Sequence, residues 1–336
     1  MQKYRLALVS VNQTALDLQG NSQRMIDCLN KIKNSNYEST IVCFPELSLS
    51  GADCADGFLM PYFIESCKAQ LELFANQSKQ ILPHSLILVG LPIRYLGFCY
   101  NSMAILHNGS ILGFVPKEKL FKQRVKDESR WFCDSPITEM TEGLEFVNRF
   151  LIEYHGLRIS VQIGQTNVAE PPLQCDLILN PIAGLFEIGE YRQDRIRNSG
   201  LSQQERTIVA SVNLLGNEAG QFIYDGCRRV SKNGELLYES DRFSFQDSRI
   251  SEFVLTGLPY IGRYKDSLKS ATITQMIKID KVSKRAGFGD DLIENHTADQ
   301  ALPTNLISIP LGYQQTSTQA ATLQDDSSFQ EFNKAM

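Results

Sequence analysis

The stretch TIVCFPELSLSG, Thr40 to Gly51, decides the class of fold. It opens on a near-continuous apolar run, the pattern of a strand buried on both faces. Pro45 ends the run, because proline cannot donate into a ladder. Glu46 then stands at the C-terminal edge of the strand, where α/β folds place ligands. A carboxylate there is either a solvated strand-end residue or, if its surroundings raise its pKa, a general base.

Outward from this strand, similar apolar runs recur in YRLALVSV (4–11), SLILVGLPI (85–93), MAILH (103–107), ILGFV (111–115), LRISVQI (157–163), DLILN (176–180) and TIVASVN (207–213). Helical spacing appears in NSQRMIDCLNKI (21–32), with Asn21 as its expected cap, and in YFIESCKAQLELFANQSKQI (62–81). Asn108-Gly109 and Asn233-Gly234 each sit between two apolar runs and predict hairpins. This mixture of βα units and hairpins predicts a layered α/β domain with mixed sheets. No G-x-G-x-x-G follows the first strand, which argues against a pure dinucleotide-binding winding. Patterning weakens from about Leu255. The expected division is one domain over 1–255, a C-terminal extension over 256–312, and a polar tail without fixed structure over 313–336.

The 336 residues carry a net charge of −5 and no basic stripe, which excludes nucleic acid as the main partner. MQKYRLALVSVN lacks a small-residue cleavage site and reads as a first strand. No apolar run approaches the ~18 residues of a membrane span, so no membrane partner is expected. Eight cysteines without a C-x-x-C pair fit reduced, buried thiols in a cytoplasmic protein. Four isolated histidines give no metal-ligand spacing, and no cofactor is implied.

Two further stretches carry chemistry-bearing residues. In GSILGFVPKEKLF, Lys117 follows a strand and a proline, at the sheet edge; alone, this Lys-x-Lys pair reads as a solvated face. In KDESRWF, Glu128 lies near Trp131, the single tryptophan. Together with VNQTALDLQGNSQR, FPELSLSG and CYNSMAILHNGSILGFVPK, and with DLILN, LFEIG, VN..GN, YDGC, KNGELL and FSFQD following in order, these stretches make residues 4–250 resemble the nitrilase, or carbon–nitrogen hydrolase, superfamily. Within it they look most like the glutaminase domain of glutamine-dependent NAD synthetases.

The resemblance implies a four-layer αββα sandwich with a Glu-Lys-Cys triad. Glutamate takes the cysteine proton, the thiolate attacks the amide carbonyl, lysine stabilises the oxyanion, ammonia leaves, and water clears the thioester. By position the base is Glu46, the lysine Lys117, and Glu128 a supporting carboxylate. The strand RISVQIGQTN (158–167) places Gly164 at the position of the nucleophile, and glycine forms no thioester. Around it Gln165 and Thr166 replace an acidic pair, Ile182 and Gly184 replace hydroxyl residues, Glu190 replaces a basic residue and Lys126 a tyrosine. Cys133, in a loop bordering the pocket, is the better substitute thiol; Cys175 opens a core strand. The family's synthetase phosphate loop, "SGG.DS", does not occur in these residues.

The first reading is a glutaminase-like binding domain without amide hydrolysis. Its expected partners are a NAD synthetase chain or a second copy of itself, and its expected ligand is small, polar and amide-like. The alternatives are a carbon–nitrogen hydrolase with a displaced nucleophile, and an accessory subunit of an ammonia-dependent synthetase.

Overall fold

The computed structural model describes residues 3–33, 39–122, 127–134, 138–141, 144–147, 150–164, 175–218, 221–256, 275–279 and 307–310. One sheet runs, edge to edge, through Ile307–Pro310, Ser248–Thr256, Lys3–Val11, Thr40–Cys43, Leu86–Tyr95, Phe98–His107, Ser110–Pro116, Leu144–Val147 and Thr138–Thr141. The other runs through Glu235–Glu239, Arg228–Lys232, Ile208–Asn213, Leu177–Ile182, Leu157–Val161, Phe150–Tyr154 and Gln275–Ile279. Leu215–Glu218 and Phe222–Asp225 form a separate two-stranded ladder.

The period of two along Lys3–Val11 explains the layering. Tyr4, Leu6 and Leu8 join the core between the sheets, where Ile41, Leu88 and Ile105 meet Ile159, Leu177, Leu179 and Val212. Ala7, Val9 and Val11 face the other way. They pack beneath helices α1 (Leu18–Ile32) and α2 (Pro61–Ile81), which contribute Met25, Leu29, Leu71 and Phe74. Helix α3 (Glu190–Glu205) covers the outer face of the second sheet, with Leu201 against Ile178 and Val209. The result is a four-layer αββα sandwich.

Asn21 is not the cap of α1. The helix starts earlier, because the Asp17 side chain accepts from Gly20 N at 2.9 Å. Asn21 is instead buried, donating to Thr14 O at 2.8 Å and to Leu49 O at 3.0 Å. It ties the helix to the loop beyond Glu46. Both predicted hairpins form, with Asn108 and Gly109 at φ 48° and 79°, and Asn233 and Gly234 at φ 50° and 91°.

The weakly patterned extension supplies two outer strands. Gln275–Ile279 runs parallel to Phe150–Tyr154, and Ile307–Pro310 runs parallel to Ser248–Thr256. Residues 313–336 lie outside the described residues. Among the described residues no helix is long and apolar enough to cross a membrane.

Leu8 is fully buried between the sheets. Leu8→Ala should therefore lower unfolding stability by about 2–5 kcal/mol, read from urea denaturation.

Candidate functional site

Glu46 is presented by a turn that presses onto the neighbouring strand. Leu47 has φ 52°, and Leu49 N donates to Gly90 O at 2.8 Å. A Cβ on Gly90 would lie 2.3 Å from Leu47 N and 2.4 Å from Pro45 O, so only glycine admits the turn. The far end of the loop is clamped by Glu218, whose carboxylate accepts from Ala52 N at 2.7 Å and Asp53 N at 2.9 Å. The small ladder thus serves as the anchor of the Glu46 loop.

Lys117 follows the strand Ser110–Pro116, and its backbone N–H donates to Asn101 O at 2.7 Å. Its Nζ lies 2.6 Å from Glu46 Oε1 and 2.8 Å from Glu128 Oε2. The side chains of Lys117, Glu46 and Glu128 are only 5%, 2% and 3% exposed. Each carboxylate has further donors. Asn101 Nδ2 reaches Glu46 Oε1 at 2.6 Å, Ala183 N reaches Glu46 Oε2 at 2.9 Å, and Phe121 N reaches Glu128 Oε2 at 2.8 Å. Burial works against the lysine's charge, but Glu46 and Glu128 override it and hold its pKa above the ordinary lysine value.

Gly164 completes the arrangement from the second sheet. It has φ 78° and donates from its backbone N to Pro181 O at 2.9 Å. A Cβ there would lie 2.6 Å from Lys117 Cε, 2.8 Å from Nζ and 3.5 Å from Glu46 Oε2. A side chain at this position would point at the ion pair. Glu46, Lys117, Glu128 and Gly164 line one cleft, with Ile182 and Gly184 on its wall.

Glu190 is not on that wall; it opens α3 and pairs with Arg197. The Trp131 indole donates to Asp56 Oδ1 at 3.0 Å, and only its backbone N–H reaches Glu128, at the carbonyl oxygen. Lys126, Gln165 and Thr166 lie outside the described residues. Sequence reasoning missed Asn101 and the Ala183 N–H. The signal for Asn101 was an amide inside an otherwise apolar strand, 1% exposed.

Comparison with known proteins gives the arrangement a context. The chain is 27% identical over 247 residues to a glutamine-dependent NAD(+) synthetase of Aquifex aeolicus, covering 71% of this chain and 40% of that protein. It is 26% identical over 297 residues to the Drosophila melanogaster enzyme of that name, covering 80% and 36%. Among solved structures, a glutamine-dependent NAD(+) synthetase from Cytophaga hutchinsonii matches with TM-score 0.67 at 30% identity, over 75% of this chain and 43% of that one. A CN-hydrolase superfamily protein from Xanthomonas campestris shares the fold at TM-score 0.55 and 19% identity, over 75% and 91%. No protein-family model matches the chain.

The chain shares the fold of these nitrilase-like, carbon–nitrogen hydrolase structures. It is related to the glutaminase domain of glutamine-dependent NAD synthetases, and spans less than half the length of the NAD synthetases it matches. All eight cysteines of the chain are described and free, and none lines the cleft. Cys133 packs on the helix-side core and donates from its backbone N to Cys99 O. Cys175 is buried with Ile178 and Val209, where burial pushes its thiol pKa well up.

Two predictions test this geometry. Gly90→Ala forces backbone apart beneath Glu46 and should cost at least ~1–3 kcal/mol in urea unfolding. Lys117→Met leaves two carboxylates facing each other in a dry cleft and should cost about 3–5 kcal/mol. Because the folded lysine pKa is raised, its stabilisation is intact up to the ordinary lysine value of ~10.5 and is lost only as pH climbs through the higher folded value. The stability difference between wild type and Lys117→Met should therefore hold constant from pH 8 to about 10.

Proposed function

We propose that this chain is a glutaminase-like domain that has lost the covalent step of amide hydrolysis and acts as a binding or accessory subunit in glutamine-dependent NAD synthesis. One observation carries the reading. The missing side chain of Gly164 would point at Lys117 and Glu46, where a nucleophile would have to stand, and no cysteine lines the cleft.

A Nesterenkonia amidase, 16% identical with TM-score 0.57, carries a covalent adduct at its active-site cysteine. In the present chain the equivalent adduct has no sulfur to form on. Removing a covalent nucleophile costs on the order of a million-fold in turnover, or roughly 8 kcal/mol of barrier. Glu46 and Lys117 remain as a buried pair able to hold a small polar amide by hydrogen bonds. The ligand's partner chain, in this reading, is a NAD synthetase or a second copy.

A displaced nucleophile is the competing reading, and the packing of Cys133 outside the cleft weighs against it. The decisive experiment is an ammonia-release assay with glutamine on wild type, Gly164→Cys and Cys133→Ala. The wild type should be inactive and should keep no mass adduct from a glutamine-like affinity label. Gly164→Cys should recover little turnover. Its Cβ would force the Lys117 ammonium from its two carboxylates, and a side chain at φ 78° stores of order 1–3 kcal/mol of strain. Wild-type turnover that vanishes on Cys133→Ala would overturn the proposal.

A further inference from the structure

A second cleft adjoins the first at Gly164 and Ile182 and runs beneath α3. Its wall includes Asp194, Arg197, Asn198 and Arg229. Arg229, on the strand Arg228–Lys232, is 1% exposed. Its Nε donates to Glu239 Oε2 at 2.9 Å, and its guanidinium carbon lies 5.0 Å from the centroid of the Tyr191 ring. Its Nη2 is buried and has no hydrogen-bond partner.

Leaving a buried charged donor unmet is costly, roughly 1–3 kcal/mol or more. The neighbours do not supply the acceptor. The carboxylates of Glu190 and Asp194 pair with Arg197, and neither bonds Arg229 Nη2. The Asn198 side chain donates to Ser211 Oγ and accepts from Ser231 Oγ. What the cleft lacks is one acceptor oxygen at Arg229 Nη2.

Charge selects the kind of oxygen. The two guanidiniums are already bonded to three carboxylates, those of Glu190, Asp194 and Glu239. An entering anion would add a fourth negative charge to this set. A neutral carbonyl oxygen meets Nη2 without that repulsion. Asp194 is on the wall, and a carboxylate has about four lone-pair sites, so it can also accept an N–H from the ligand. Both requirements are met by one small group.

We infer that the cleft beneath α3 is a second ligand site, which takes a small neutral carboxamide with its carbonyl oxygen on Arg229 Nη2 and its N–H facing Asp194. The site is independent of the reading given to the Glu46–Lys117 cleft.

The test is a titration of the folded, full-length protein with acetamide, and separately with sodium acetate, followed by amide NMR shifts. Acetamide should move the amides around Asp194, Asn198 and Arg229, in a saturable manner. Arg229→Met should weaken this binding about tenfold or more, the loss of a hydrogen bond to a charged group. Leu201→Phe narrows the cleft without touching a charge and should weaken it as well; it decides the matter if Arg229→Met fails to fold. Acetate moving those amides while acetamide does not would overturn the ligand class. Acetamide shifts confined to the neighbourhood of Glu46 and Lys117, or binding unchanged in the folded variants, would overturn the site.

Discussion

The Lys117 ammonium, held between the carboxylates of Glu46 and Glu128, is the interaction on which the site depends. Two buried negative charges cannot lie side by side without a cation, and a lone buried cation would be as costly. Neither partner can leave without stranding the others. The cluster carries one net negative charge, and neutral donors offset it: Asn101 and Ala183 on Glu46, and Phe121 on Glu128.

These groups come from both sheets. Glu46, Asn101 and Lys117 belong to the first sheet and the segments leaving it, whereas Gly164 and Ala183 stand at the ends of strands in the second. The site therefore exists only when the sheets are stacked in register. The apolar layer between them does that, through pairs such as Leu8 and Ile105 against Ile159 and Leu179. Smaller constraints refine it. Gly90 lets the Glu46 turn approach, and Glu218 and Asn21 hold the loop beyond it.

The same physics separates the ion cluster from the reaction. No thiol lines the cleft, and the ion cluster is complete without one. Glu46 and Lys117 are bound into the stability of the core whether or not chemistry follows. Their presence is thus compatible with a protein that binds and does not hydrolyse. The two clefts share Gly164 and Ile182, so they meet at a position without a side chain.

The sequence by itself determined the class of fold, because burial on both faces writes uninterrupted apolar runs such as TIVCF and DLILN into the chain. It also determined the hairpins at Asn108-Gly109 and Asn233-Gly234, whose left-handed backbone is a local preference. Glu46, Lys117, Glu128 and Gly164 were legible through the motifs around them, and the implied triad brings Glu46 and Lys117 together, but the donors that surround them were not legible. Local pattern misled at Asn21, where Asp17 reaches the free N–H groups and the asparagine turns inward. The outer strands Gln275–Ile279 and Ile307–Pro310 were not legible either, since an edge strand is held by backbone pairing that leaves little trace in side-chain periodicity. Only the tertiary structure decided that Asn101 and the Ala183 N–H reach Glu46, that Cys133 turns away from the cleft, and that Arg229 is buried with an unmet donor. Each depends on residues far apart in sequence meeting at distances of a few ångströms, which no local pattern encodes.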